Sequence, residues 1–279
     1  MKYPHSNLKS PEEIENFIVK PPFIRSAINY GMAFLGDNFK TTAILLYAVL
    51  ALSAWKYISA APQLADPASR ECVLAIGTET LERPLAGTLH FSPILFLWYS
   101  RKIWSAFLLM GVVPALIVKY VFKERLSDYG LVPKSLSRTI KSFLLFLPIF
   151  VVIGWTSGAT TEFYNVYPYN PLAGASWACL LTHSVLYFFL YYLAWEFMFR
   201  GFIQLGLASS FGPIAAILIQ VLASTMLHYG HPASETFGCV AGGLLWGYLV
   251  FRTGSIWSGW WQHALLGVML DWSLVINAR

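Results

Sequence analysis

Charge is what this sequence has least of. Of its 279 residues only 12% are Asp, Glu, Lys or Arg, against 57% hydrophobic and 16% aromatic; a soluble domain carries roughly twice that charged fraction. A water-facing surface around most of the chain is therefore excluded. Cysteine is scarce too: Cys72, Cys179 and Cys239 are far apart and odd in number, so neither a disulfide framework nor a zinc-binding set of cysteines is expected. No basic run is long enough for a nucleic-acid patch, and the net charge of +5 suits cytoplasmic loops of a membrane protein. The first stretch of about 40 residues is polar, without the short apolar core of a cleavable signal peptide, so the first transmembrane helix itself is expected to direct insertion. No internal repeat or low-complexity segment is evident.

What is present is a series of apolar runs long enough to cross a bilayer, with a mean hydropathy of +0.56. They predict an all-α, polytopic membrane bundle of about seven transmembrane helices. Residues 1–40 read as a cytoplasmic arm, in which Ser10-Pro11-Glu12-Glu13 opens a short amphipathic helix. Residues 41–122 hold the first spans, Thr41 to Ala60 and Ile103 to Phe122, the latter bent near Pro114, with an extracytoplasmic loop between them. Residues 123–279 form the core. It begins with the most basic loop, Lys123, Arg125, Lys134, Arg138 and Lys141 against Glu124 and Asp128, which the positive-inside rule places in the cytoplasm. Spans follow over Ser142 to Gly158, Trp177 to about Leu207, which is long enough that it either kinks at Gly201 or protrudes, Ile214 to Tyr229, Phe237 to Phe251 and Ile256 to Ile276. A multi-pass protein of a bacterial inner membrane, with a cytoplasmic N-terminus, is the expectation.

Inside these runs a few polar side chains stand out. Glu196 and Arg200 lie one helical turn apart in Ala194-Trp195-Glu196-Phe197-Met198-Phe199-Arg200-Gly201, so they share a face. Ionisable groups at membrane depth are costly unless paired or bordering a wet cavity, which makes this pair a functional-site candidate, the alternative being a purely structural tie. The turn Ser209-Ser210-Phe211-Gly212-Pro213 closes a helical hairpin. Counted from it at 1.5 Å per residue, Glu196 and His228 lie roughly 20 and 25 Å along the two arms and can meet. There Glu196 is expected to act as a base toward water, with His228 orienting or sharing it; His231 competes with His228 for that part. Glu235 is either a second carboxylate near the cavity or a solvated loop residue. His263 is the candidate oxyanion donor, with Asp271 two turns further along acting on it through water. His183 and His90 read as structural or interfacial. Glu196, His228 and His263 also make a conceivable zinc set, but they come from three helices without His-Glu-x-x-His spacing, so no metal and no cofactor is expected.

These residues resemble a family, the type II CAAX prenyl protease and bacteriocin-processing group known as CPBP intramembrane glutamic endopeptidases. The resemblance runs from Leu193 to Asp271, and more loosely to Glu124-Arg125-Leu126-Ser127-Asp128-Tyr129-Gly130-Leu131. Glu196 and Arg200 match the second glutamate and the arginine of the family's first motif, with Trp195 where the first glutamate stands. The second motif, a phenylalanine ahead of a histidine, is met only as Ser224 to His228 or Leu227 to His231. The third keeps His263 but has Gly267 for its asparagine. The segment Phe251-Arg252-Thr253-Gly254-Ser255-Ile256-Trp257 is very like the family's lead into that histidine.

The resemblance implies a metal-free hydrolysis, in which glutamate and histidine activate water and the last histidine and asparagine hold the oxyanion. With the departures taken into account, the expectation is a peptidase of membrane-associated protein or peptide substrates, working in the lipid bilayer through Glu196, His228 and His263. A supporting set of Arg200, His231, Glu235 and Asp271 surrounds them. The alternative is a non-catalytic pseudoprotease or membrane binding protein of the same fold, motivated by Trp195 and Gly267. A proton-coupled transporter built on Glu196 and Arg200 lacks the matching halves of an inverted repeat.

Overall fold

A computed structural model of the chain describes Gly36 and residues 38–60 and 93–277. The expected amphipathic helix near Ser10, the loop after Ala60, Cys72 and His90 lie outside the described residues. The chain divides into Met1–Ala43 and a larger unit, Ile44–Arg279, which carries the site.

Every long apolar run forms a helix, and the described residues hold no strand. In lipid the backbone must satisfy its own hydrogen bonds, which leaves a run of apolar residues little choice. Helix α1 is Phe39–Ala60, α2 the short Pro93–Tyr99, α3 the run Arg101–Val121 and α4 Leu136–Ser157. Helix α4 starts six residues before the sequence suggests, because the Ser135 hydroxyl accepts from the Arg138 amide and caps it. Next comes α5, a helical run over Trp177–Leu227, then α6, Ala233–Thr253, and α7, Trp257–Asn277.

Two segments of α5, Tyr187–Tyr192 and Phe197–Leu205, are wound as π-helix. The sharp break falls at Gly212, with φ 77° and ψ 165°, inside the hairpin turn expected over residues 209–213, while Gly201 stays within the π-wound segment. A positive φ followed by Pro213 turns the chain back and makes α5 a hairpin of two arms. Gly201 instead permits a close approach, since a Cβ there would stand 2.8 Å from the Tyr129 carbonyl oxygen. In α3 the turn containing Pro114 lies between two further π-helical stretches, where the lost hydrogen bond of the proline is absorbed.

Four of these runs, in α1, α3, α4 and α5, are long and apolar enough to cross a membrane. Their outer faces expose Leu46, Val49, Leu50, Leu144, Leu145, Leu218 and Leu222. A belt of this kind belongs in lipid, so the chain is an integral membrane protein.

Small residues and buried amides hold the helices together. A Cβ on Gly154 of α4 would overlap the Leu266 carbonyl oxygen of α7, so the two backbones pass at the closest possible approach. Gln204 and Gln220, fully buried on the two arms of α5, donate to the carbonyls of Gly247 and Gly243 at 2.8 and 2.9 Å and tie the hairpin to α6.

Candidate active site

Helices α4, α5, α6 and α7 and the loop after α4 enclose a cavity of about 390 Å³. Its wall is mostly aromatic and aliphatic, but His228, Glu235 and His263 border it together with Arg200, Cys239 and a row of tyrosines. An apolar cleft with a few convergent polar groups is the usual form of a binding or catalytic site.

One polar group centres on His263. Its Nδ1 lies 2.8 Å from Glu196 Oε1, and Arg200 Nη1 lies 3.1 Å from the same oxygen. The Arg200 approach is a charge contact outside hydrogen-bond geometry. Glu196 is wholly buried and is not among the cavity-lining residues, whereas the His263 side chain remains 14% exposed. The ring of Trp246 stacks on His263 at 4.4 Å. That indole is itself fixed, donating to Gln262 Oε1, while Gln262 donates to the Ser142 carbonyl. His263 is thus held by a carboxylate behind it and an aromatic plane beside it. Gly259 permits this, since a Cβ there would stand 3.0 Å from Glu196 Oε2.

The other group lies where the second arm of α5 meets α6. Helix geometry ends at His228, as Pro232 requires, and Gly230 turns the chain with φ 92°. His231 Nδ1 lies 2.9 Å and His228 Nε2 3.6 Å from Glu235 Oε1, and the Tyr167 hydroxyl donates to that oxygen at 2.6 Å. Glu235 is therefore a cavity carboxylate and not a solvated loop residue. Because a carbonyl can only accept, the 2.8 Å contact to the Ser224 oxygen places a proton on His228 Nδ1 and turns Nε2 toward Glu235. Burial pushes the pKa of His231 below its ordinary value, partly offset by Glu235. Burial works against charge on His228 as well, but Cys239 and Glu235 outweigh it and hold its pKa above the ordinary value. Burial raises Tyr167 well above the usual phenol range, so it remains a donor.

The expected meeting of Glu196 with His228 takes a different form. The side chain against His228 is Trp195, edge-on at 5.6 Å, and the same indole lies 6.4 Å from His263. Asp271 likewise departs from expectation: its Oδ2 pairs with His183 Nε2 at 2.9 Å, both fully buried, and not with His263. The link to His263 runs through rings instead. His183 stacks on Tyr187, whose hydroxyl accepts from Tyr192 at 3.1 Å, and the Tyr192 ring lies 4.6 Å from His263.

Tyr192 and Tyr167 are the residues that the sequence reading missed. A Cβ built on Gly267 would overlap the Tyr192 hydroxyl, so that hydroxyl occupies the space vacated at the position of the motif asparagine. One signal for it was available, since Tyr192 lies four residues before Glu196 on the same arm. Tyr167 comes from a loop and had none.

Residues 172–269 match a family model described as type II CAAX prenyl endopeptidase, Rce1-like. No curated protein and no solved structure matches the chain. The matched segment contains Glu196, His228, Glu235 and His263 and the hairpin that brings them to one cavity, and over this segment the chain is similar to that family of membrane proteases.

Proposed function

We propose that the protein is an intramembrane peptidase that hydrolyses a peptide bond of a membrane-associated protein or peptide, with water activated by Glu235 and His228. The observation that carries this is the Glu235 carboxylate on the cavity wall, within 3.6 Å of both imidazoles, in a chain that has Trp195 where the family keeps its first glutamate. Glu235 takes a proton from water as the oxygen adds to the scissile carbonyl carbon. The oxyanion is received by Nε2–H of His263 in its doubly protonated form, with Nδ1–H donating to Glu196, and by the Tyr192 hydroxyl once its proton turns from Tyr187 to the oxyanion. On collapse the C–N bond breaks and the proton passes from Glu235 to the leaving amine. Glu196, Arg200 and Trp246 position His263, His231 and Tyr167 position Glu235, and Asp271 braces the tyrosine row through His183.

A second reading, a non-catalytic binding protein of the same fold, is favoured by Trp195, whose indole packs against His228 and lies close to His263. One experiment separates them. The purified protein in vesicles is given a library of quenched fluorogenic peptides, and cleavage is compared with Glu235→Gln. Loss of general-base catalysis lowers the rate by roughly 10²-fold or more. Undiminished cleavage in the variant removes the role given to Glu235, and no cleavage by the unmodified protein leaves the binding reading.

A further inference from the structure

The corner formed by His228, His231 and Glu235 has a property that water activation does not require. One donor atom from each side chain lies within 4.8 Å of the other two, and all three side chains are largely buried on the cavity wall. A tetrahedral zinc ion holds imidazole nitrogen and carboxylate oxygen at about 2.0–2.2 Å, which sets neighbouring donors ~3.3 Å apart. Glu235 Oε1 is already 2.9 Å from one imidazole nitrogen and 3.6 Å from the other, so it stands close to that spacing from both.

The surroundings also suit a cation. His228 Nδ1 donates to the Ser224 carbonyl, which leaves Nε2 with its lone pair facing the cluster, the arrangement by which ligating histidines are oriented. Tyr167 orients the carboxylate by donating to Oε1, and Glu235 Oε2 is buried with no protein hydrogen-bond partner among the described residues. Two imidazoles and one carboxylate leave a fourth position open toward the cavity.

We infer that His228, His231 and Glu235 bind a divalent zinc-class ion that switches the peptidase off. The binding stands on the geometry alone; the inhibition rests on the peptidase reading above. Lone pairs given to a metal ion are not available to take a proton from water. The ion-loaded protein is thus the resting form and its removal restores the base.

The test uses the full chain purified in detergent and stripped with a chelator. Zinc is then titrated with binding read by calorimetry and by metal content after gel filtration, and folding checked by thermal unfolding. One zinc per chain is expected, with affinity falling at least tenfold in His231→Gln and in Glu235→Gln and unchanged in His263→Gln. Peptide cleavage by the unmodified protein is expected to fall as zinc is added and to return with chelator. No saturable uptake, or uptake indifferent to both His231→Gln and Glu235→Gln in folded protein, overturns the site. Cleavage that requires zinc overturns the inhibitory role. Site-dependent uptake without any cleavage upholds the site while removing the peptidase reading.

Discussion

Glu196 and Glu235 are both carboxylates near a histidine, yet their surroundings give them opposite roles. Glu196 is sealed against Arg200 and His263, and breaking a buried pair by removing one partner costs about 3–5 kcal/mol, since an uncompensated charge stays behind. Glu235 borders the cavity and is held by hydrogen bonds that leave it a proton acceptor. At the same scale, Tyr192→Phe keeps the ring against His263 and removes only the hydroxyl. Cleavage is expected to lose roughly 10²-fold in kcat with little change in KM, as when an oxyanion donor is deleted. Tyr187→Phe, which removes only the partner hydroxyl, is expected to lose far less. Equal losses in the two variants, measured by steady-state kinetics, would make the Tyr192 hydroxyl a structural link and not an oxyanion donor.

Among the elements, α4 and α7 decide whether the His263 side of the site is in place. Gly154 lets the Leu266 backbone pass against α4, one residue before Gly267 and one turn beyond His263. Gly154→Val forces the helices apart and is expected to destabilise the protein by about 1–3 kcal/mol, as overpacking does. A lower thermal midpoint in detergent checks this. Gly238 on α6 has nothing within 4 Å of an added Cβ, so Gly238→Ala is expected to hold or raise that midpoint, since helix propensity favours alanine by up to about 1 kcal/mol. If Gly154→Val unfolds at the same temperature as the unmodified protein, the close approach of α4 and α7 is not what sets their packing.

For the whole molecule, the ends of the helices sort the polar residues into two faces. Lys56, at the end of α1, donates to the carbonyls of Leu227 and Tyr229, and the loop after α4 supplies Tyr167 to Glu235, so these groups share one face. The basic segment between α3 and α4 belongs to the opposite face, where the Ile256 amide donates to the Gly130 carbonyl. The positive-inside rule predicts a cytoplasmic basic loop, and on that orientation the His228–Glu235 corner is expected to open toward the extracytoplasmic side. A cysteine introduced at Tyr229, in a chain otherwise free of cysteine, is then expected to react with an impermeant maleimide added to intact cells, and one at Val132 only after permeabilisation. The reverse labelling pattern would invert this orientation.

Scarce charge and long apolar runs determined the helical membrane fold, because a backbone in lipid must satisfy its own hydrogen bonds and a continuous apolar run of about 20 residues does so as a helix. The pair Glu196 and Arg200, the stop at Pro232 and the hairpin turn at Gly212 were legible for the same reason: each depends on neighbours within a turn. The partners across helices were not. That Trp195 faces His228, that Asp271 takes His183, that Tyr192 fills the space beside Gly267 and that Glu235 faces the cavity depend on how hairpin α5 is set against α6 and α7. Local spacing places a side chain on a helix face, but packing between helices decides which face it meets, and here that packing moved the cavity carboxylate from α5 to α6.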